Sequence, residues 1–259
     1  MTPTPSTAKR TTSRRGNVVV QPAAKPPRSS GNHHLRSLGN DTALELGFAP
    51  DLTSYDRLRH AFKRTVDILG AILLLVVCSP IILLVSIAVR LDSRGPILFS
   101  HWRLGRNGQH FPCLKFRSMK QDAESDLHRS EELRHEYVSN HFKIPTDRDP
   151  RITRLGRLLR KTSLDELPQL VNVIRGDMSL VGPRPIVPIE GTYYGDRLPV
   201  LLSIRPGLTG AWAVSGRNRV GYPERADIEL AYASGWTLRQ DLEILLRTPV
   251  AVLTQRGAV

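Results

Sequence analysis

The longest apolar run in the chain lies at residues 68–89, about 22 positions without a charge. As a helix it would be roughly 33 Å long, the thickness of a bilayer's hydrocarbon core. A spanning helix is the default reading of such a run. Two features oppose it. Ser79-Pro80 falls in the middle, where proline removes a bond of the helical ladder and bends the axis. Basic residues also flank both ends, Arg57, Arg59, Lys63 and Arg64 before it and Arg90, Arg94, Arg103 and Arg106 after it. Spanning would export one of these clusters, against the tendency of basic flanks to stay on the cytoplasmic side. A helix that enters, breaks at Ser79-Pro80 and returns keeps both clusters inside. The pattern alone leaves both topologies open.

The remaining periodicities are shorter. Leu52, Tyr55, Leu58 and Phe62 give a weakly amphipathic juxtamembrane helix suited to a membrane surface. Ile97-Leu98-Phe99 and Leu114-Lys115-Phe116 predict two short strands, with Asn107-Gly108 as the turn between them. Residues 120–142 are charged with helical spacing and predict a surface helix or lid, and 147–151 predict a turn. Residues 152–159 are amphipathic, with Arg154, Arg157 and Arg160 on the polar face. A helix follows at 167–174 with Leu170, Val173 and Ile174 as its stripe, then a short strand at 212–214 and a helix at 223–236. Residues 238–253 are amphipathic up to Thr248 and apolar beyond Pro249, which leaves packing on the domain and lying on the membrane both open.

The fold class expected is α+β. It is a small, mostly helical domain with a short β-hairpin, anchored by a re-entrant helix-break-helix and interfacial amphipathic helices. The expected divisions are a basic disordered tail at 1–50, a juxtamembrane segment at 51–65, the membrane hairpin at 66–90 and a catalytic domain at 91–259. The tail is rich in Thr, Ser, Pro, Lys and Arg and has too few large apolar residues to offset its ordering entropy. No apolar core follows its first basic residues, so it does not read as a secretory signal. His33 and His34 there read as exposed residues rather than metal ligands.

Charge narrows the partners. The 259-residue chain carries a formal net charge of +13, which calls for an anionic partner: nucleic acid, anionic lipid or a phosphorylated substrate. The two cysteines, Cys78 and Cys113, do not suggest a disulfide framework or a zinc site. No Walker loop, H-E-x-x-H or G-x-S-x-G motif is present, which removes several common enzyme classes.

The densest chemistry lies at 160–185, which gathers Arg160, Asp165, Glu166, Asp177 and Arg184. Ser163 and Glu166 fit an S-x-x-E capping box, and the dipole of a helix start favours ionised carboxylates. With Ser163 as cap, Pro168 falls inside the helix; with Asp165 as cap, it falls in the first turn, where proline is tolerated. Either way the acidic pair lies at a helix start. Simple capping would explain the pair. The Gly-Pro-Arg-Pro run at 182–185 shifts the balance, since a fixed turn carrying one arginine suits anion recognition better than core packing.

On these residues the chain resembles the bacterial polyprenyl-phosphate sugar-1-phosphate transferases, the small monotopic phosphoglycosyl transferases. The likeness is nearest to those that start exopolysaccharide synthesis with galactose or glucose phosphate. It covers about residues 62–253 and rests on five motifs together: Lys-Phe-Arg-Ser-Met (115–119), Leu-Asp-Glu-Leu-Pro (164–168), Gly-Asp-Met-Ser (176–179), Gly-Pro-Arg-Pro and Arg-Pro-Gly-Leu-Thr-Gly (205–210). The resemblance implies the re-entrant hairpin broken at Ser79 and Pro80, in the bacterial inner membrane with the active site on the cytoplasmic face. It implies transfer of a sugar-1-phosphate from a UDP-sugar to undecaprenyl phosphate. Asp165 would be the nucleophile, giving an acyl phosphate. Glu166 would hold Mg²⁺, whose preference is for carboxylate oxygens completed by substrate phosphates. Lys115, Arg117, Arg160, Arg184 and Arg217 would hold phosphate oxygens. Lys115 and Arg117, two apart on a strand, would share a face. The expected partners are the UDP-sugar, undecaprenyl phosphate and membrane lipid, with no nucleic acid; a homo-oligomer is left open.

Two rivals come from other classes. A membrane-tethered nucleic-acid-binding protein fits the charge, but no DNA- or RNA-binding module is visible, and acidic residues interrupt the basic ones after the hairpin. A steep salt dependence of DNA binding would favour it. An inactive membrane scaffold is separated only by an activity measurement, because the motif residues are all present.

Overall fold

The computed structural model describes residues 54–121, 123–139 and 144–254. The tail expected at 1–50 and the first residues of the juxtamembrane segment lie outside them. Helix α1 spans Ser54–Asp92. It leads into the antiparallel hairpin of β1 (Leu98–Leu104) and β2 (His110–Phe116), with Phe99 opposite Lys115 and Leu104 opposite His110. The turn falls where expected, since Asn107 and Gly108 both take positive φ, 55° and 72°. Both strands extend well beyond the apolar triplets that announced them.

Two short helices, α2 (Ala123–Arg129) and α3 (Glu131–Ser139), fill the charged stretch. Helix α4 (Arg154–Thr162) is capped by the Thr153 hydroxyl and leaves Arg154 and Arg157 exposed, as surface charges would be. A single 3-10 turn, Leu164–Glu166, joins it to α5 (Gln169–Arg175). Strand β3 (Ser179–Val181), helix α6 (Leu198–Leu202), strand β4 (Gly207–Thr209) and helix α7 (Ala211–Val214) follow, and α8 (Glu224–Gly235) and α9 (Leu238–Leu253) close the chain.

The short strand expected at 212–214 is instead the helical turn α7, and the strand lies a few residues earlier. β4 pairs in parallel with β3, Ser179 opposite Gly207 and Val181 opposite Thr209. Glycine makes this pairing possible. A Cβ on Gly207 would lie 2.1 Å from the Gly182 nitrogen, and one on Gly210 would lie 2.0 Å from the Gly182 carbonyl.

The helix expected to break at Ser79-Pro80 runs on through Pro80 instead. The sequence itself explains the continuity. Pro80 has no N–H to offer the carbonyl of Val76, four residues back, and the Ser79 hydroxyl donates to that carbonyl at 2.8 Å. Around Pro80 the helix is bare, with Leu73, Val76, Val77, Leu83 and Leu84 all exposed. It is the one helix among the described residues long and apolar enough to cross a membrane.

Both flanks of α1 pack on the same domain. Near its start, Lys63 pairs with Asp241 at 2.5 Å, and Arg64 donates to the carbonyls of Val173 and Ile174 at 2.6 and 2.8 Å. Ala71 belongs to the main core with Leu170, Val173, Met178, Leu180, Tyr232 and Trp236. Near its end, Val85 and Val89 form a second cluster with Phe116 and Leu159. The third cluster gathers Ile186, Tyr194, Leu201, Ala226 and Leu230.

Candidate active site

Asp165 and Glu166 sit on the 3-10 turn between α4 and α5. The expected capping box does not form. Ser163 adopts left-handed φ (59°) and ends α4, and its hydroxyl accepts from Arg217 Nη1 at 3.0 Å. Pro168 stands at the N-cap of α5, so its missing N–H costs nothing there. The acidic pair therefore lies just before a helix start, on a turn pinned from both sides.

Lys115, from the end of β2, reaches both carboxylates, Glu166 at 2.6 Å and Asp165 at 3.7 Å. The backbone behind it is fixed by Asn172, a fully buried residue on α5. Its side chain accepts from Leu114 N, donates to the Pro112 carbonyl and donates to Asp177. Arg160, in the last turn of α4, is oriented by a 2.9 Å bond to the Ser118 hydroxyl. Gly156 lets α4 approach that closely, since a Cβ there would lie 1.9 Å from the Ser118 carbonyl. Arg160 acts on Asp165, while Arg184 and Arg217 act on Glu166. Arg184 leaves the Gly-Pro-Arg-Pro turn with its backbone N–H held by Glu229 and its guanidinium 5.3 Å from the Trp212 ring.

The two carboxyls are driven apart. Burial raises the pKa of Asp165, which is 5% exposed, above the ordinary aspartate range, against the pull of Lys115 and Arg160. Burial would raise Glu166 as well, but Lys115, by charge and hydrogen bond, with Arg184 and Arg217 behind it, holds its pKa below the usual glutamate range. Burial likewise opposes the charge on Lys115, and the two carboxylates outweigh it, so its pKa rises. Glu166 is thus the settled partner of Lys115. Asp165 is the more basic carboxylate of the two.

Of the five predicted cations, four gather around the doublet: Lys115, Arg160, Arg184 and Arg217. Arg117 does not. β2 ends at Phe116, so the strand no longer holds residue 117 on the face of Lys115. The buried Arg117 guanidinium instead donates to the carbonyls of Val89, Ser93 and Pro96, closing the end of α1. It is a helix cap in a site that electrostatics alone would favour.

Three contributors escaped the sequence reading. Asn172 had one signal, a polar residue within the buried face of α5. Ser118 had none. Arg225 and its carboxylate neighbours are the third. Arg225 is 1% exposed, lies 3.4 Å from Glu229 and 3.6 Å from Glu190, and spreads over the rings of Trp212 and Tyr222. Glu190 also faces Arg103 at 3.6 Å.

The doublet lies against the apolar helix. Leu164 and Leu167, the residues on either side of it, pack into the cluster built by Val85 and Val89 of α1. A carboxylate ringed by cations, next to the foot of a membrane-grade helix, is suited to phosphoryl chemistry at a lipid boundary.

Comparison with known proteins agrees. The bacterial sugar transferase family profile matches residues 58–255. The undecaprenyl-phosphate galactose phosphotransferase of Salmonella typhimurium is 46% identical over 205 residues, covering 78% of this chain and 42% of that protein. The chain therefore spans less than half the length of that relative. The exopolysaccharide production protein ExoY of Sinorhizobium fredii is 44% identical over 199 residues, 76% of this chain and 87% of its own. The UDP-glucose:undecaprenyl-phosphate glucose-1-phosphate transferase of Caulobacter vibrioides is 39% identical, over 76% of this chain and 71% of its own. With the five motifs, the clustered cations and this match over most of its length, the chain belongs to the bacterial sugar transferase family.

Proposed function

We propose that the chain transfers a sugar-1-phosphate from a UDP-sugar, galactose or glucose as in the named relatives, to undecaprenyl phosphate, as the first step of an exopolysaccharide. The observation that carries the reading is the Lys115–Asp165–Glu166 cluster, with three arginines around it, set against the apolar helix.

Asp165 attacks the phosphorus that bears the sugar. A bond forms between its carboxylate oxygen and phosphorus, the bond to the nucleotide's α-phosphate oxygen breaks, and UMP leaves. The product is an acyl phosphodiester. An oxygen of the polyprenyl phosphate then attacks the same phosphorus, and the Asp165 carboxylate departs unchanged. Lys115, Arg160, Arg184 and Arg217 hold phosphate oxygens as charge moves onto the leaving UMP. The raised basicity of Asp165 favours its attack, while Glu166 anchors Lys115.

The donor set fits a divalent ion only in the open manner usual for Mg²⁺, with one or two carboxylates and the substrate's phosphates as ligands. Among the described residues no group of three or more His, Cys, Asp or Glu side chains could enclose one. Glu166, with Asp165 beside it, would hold the ion, which when bound neutralises phosphate charge.

The membrane topology we propose is monotopic, with α1 staying helical through Pro80 but bent there on entering the bilayer, and with the active site on the cytoplasmic face of the inner membrane. The packing of both flanks of α1 on one domain supports it, because a helix that crossed the bilayer would leave its flanks on opposite faces, where one domain could not contact both. Incubation with labelled UDP-sugar and Mg²⁺ in the absence of lipid tests the two-step scheme. The expected result is label on Asp165 and release of UMP. UMP released only when lipid is present would favour direct transfer.

A further inference from the structure

At the tip of the β1–β2 hairpin, away from the doublet, lies a cavity of 330 Å³ lined in part by Arg59, His60, Arg106 and Trp236. Arg106 stands in the hairpin turn and Lys115 near the far end of β2, roughly 17 Å apart along the strand. A smaller recess shares His60, Arg106 and Trp236 with the cavity and adds Arg64 and Arg205.

Among the described residues the charge here is one-sided. Arg59, Lys63, Arg64, Arg106 and Arg205 surround the two recesses, against Asp67 and Asp241. Both carboxylates are already engaged. Asp67 accepts from Ser179 and from Leu180 N, and Asp241 from Lys63 and Tyr232. Arg106 and Arg205 are anchored on backbone carbonyls, which fix a guanidinium without neutralising it. Arg59 donates to Trp236 O at 2.8 Å, Arg106 Nε to Ser203 O at 3.0 Å and Arg205 Nε to Gly176 O at 2.8 Å. Among the described residues, the η nitrogens of Arg106 and Arg205 make no hydrogen bond. Such an arrangement is preorganised for an anion with several acceptor oxygens.

The neighbouring surface says where that anion comes from. The stretch of α1 that carries Arg59 and His60 turns Leu58, Phe62 and Val66 outward, 69%, 56% and 42% exposed, in line with the bare apolar face that begins at Leu69. We propose that the cavity lined by Arg59 and Arg106, with Arg205 in the recess that adjoins it at Arg106, binds the phosphate of an anionic membrane lipid headgroup, as a second anion site separate from the acidic doublet. The proposal rests on the membrane attachment argued above and not on the transfer reaction.

The full chain in dodecyl maltoside micelles is titrated with phosphatidylglycerol, and its thermal midpoint is followed. Parallel titrations use phosphatidylcholine and inorganic phosphate. The expected result is a saturable rise with phosphatidylglycerol alone. Its apparent affinity should fall at least ten-fold in the Arg106→Gln/Arg205→Gln double variant and persist in Arg184→Gln, which disturbs the active site instead. An equal rise with inorganic phosphate would overturn the lipid as occupant, and an undiminished response in the double variant would overturn the site. If the double variant does not fold, native mass spectrometry of Arg59→Gln decides: fewer retained phosphatidylglycerol molecules per chain than wild type supports the site, and an unchanged number rejects it. UMP release is not read, so failure of the transfer reading leaves this test intact.

Discussion

Two clusters of arginine and carboxylate sit side by side in this domain, joined at Arg184, and they are built to opposite ends. Around Arg225 the charges balance, with Arg225 and Arg103 against Glu190 and Glu229. Arg225 and Glu229 are each 1% exposed, and Tyr194 donates to Glu229 from within the core. Around Asp165 the charges do not balance, since four cations face two carboxylates. Closure there needs an anion from outside. The same residue types serve structure where they neutralise one another and chemistry where they leave a surplus. Glu229 links the two by holding the Arg184 backbone N–H, so the balanced cluster positions an arginine of the unbalanced one.

The sharpest way to break this comparison is at Asp165. Asp165→Asn keeps shape and removes the proposed nucleophile, so phosphosugar labelling should vanish and UMP release should fall at least about 10³-fold, a loss of roughly 4 kcal/mol of transition-state stabilisation. Residual labelling in the variant would move the nucleophile elsewhere. The matching change in the balanced cluster is Arg225→Met. It removes the cation that two buried glutamates share, and denaturant unfolding should show a loss of about 3–5 kcal/mol. A loss confined to turnover, with stability intact, would place Arg225 in the site after all.

The arginines sharpen the same contrast at smaller amplitude. Arg184→Lys should lower kcat/KM for the UDP-sugar by roughly 10–100-fold at unchanged stability, because a point charge replaces a planar fork. Arg117→Lys should do the reverse. It loses carbonyl bonds at the end of α1 and costs about 1–2 kcal/mol of stability, with KM for the UDP-sugar unchanged. Steady-state kinetics and unfolding on both variants check the pair. If Arg117→Lys raised KM instead, the helix-capping role would be wrong.

That pair also shows what a sequence can carry. Lys115 and Arg117 are equivalent in a pattern of alternating residues, and only the point at which β2 ends distinguishes them. Local signals worked where the physics is local. Asn107-Gly108 marked the turn because left-handed backbone favours those residues, and Leu170, Val173 and Ile174 marked the buried side of α5. The parallel β3–β4 pair was illegible, since each strand is three residues long and the pairing rests on close backbone contact among Gly182, Gly207 and Gly210. Ser79-Pro80 was legible as a break only if Ser79 is ignored; its hydroxyl serves the carbonyl that Pro80 leaves open. The acidic doublet, Lys115 and Arg184 were readable because they lie in short motifs, and Arg160 and Arg217 through the family resemblance. Asn172 and Arg225 were not, because the contacts that give them their roles, Pro112 and Leu114 for Asn172 and Glu190 and Trp212 for Arg225, are distant in the chain.

The smallest expected effect separates the two acids of the doublet by sign. Asp165 has its pKa raised by burial, so the folded state keeps that proton to higher pH than the unfolded state does. Stability attributable to Asp165 is therefore lost as pH rises from its unfolded value through its folded one. Asp165→Asn removes that loss, and at neutral pH the variant should be more stable than wild type by about 1 kcal/mol, the usual scale for relieving strain at an active site. The gain should disappear in acid, below the unfolded value. Glu166 runs the other way. Its folded pKa is depressed by Lys115 and the arginines, so its contribution is present above the unfolded value and is lost as pH falls through the folded one. Glu166→Gln should thus be less stable than wild type at neutral pH and converge with it in acid. Unfolding curves of the two variants across that range should diverge from wild type in opposite directions. If both moved the same way, the doublet would be one shared charge rather than an attacking acid and its anchored neighbour.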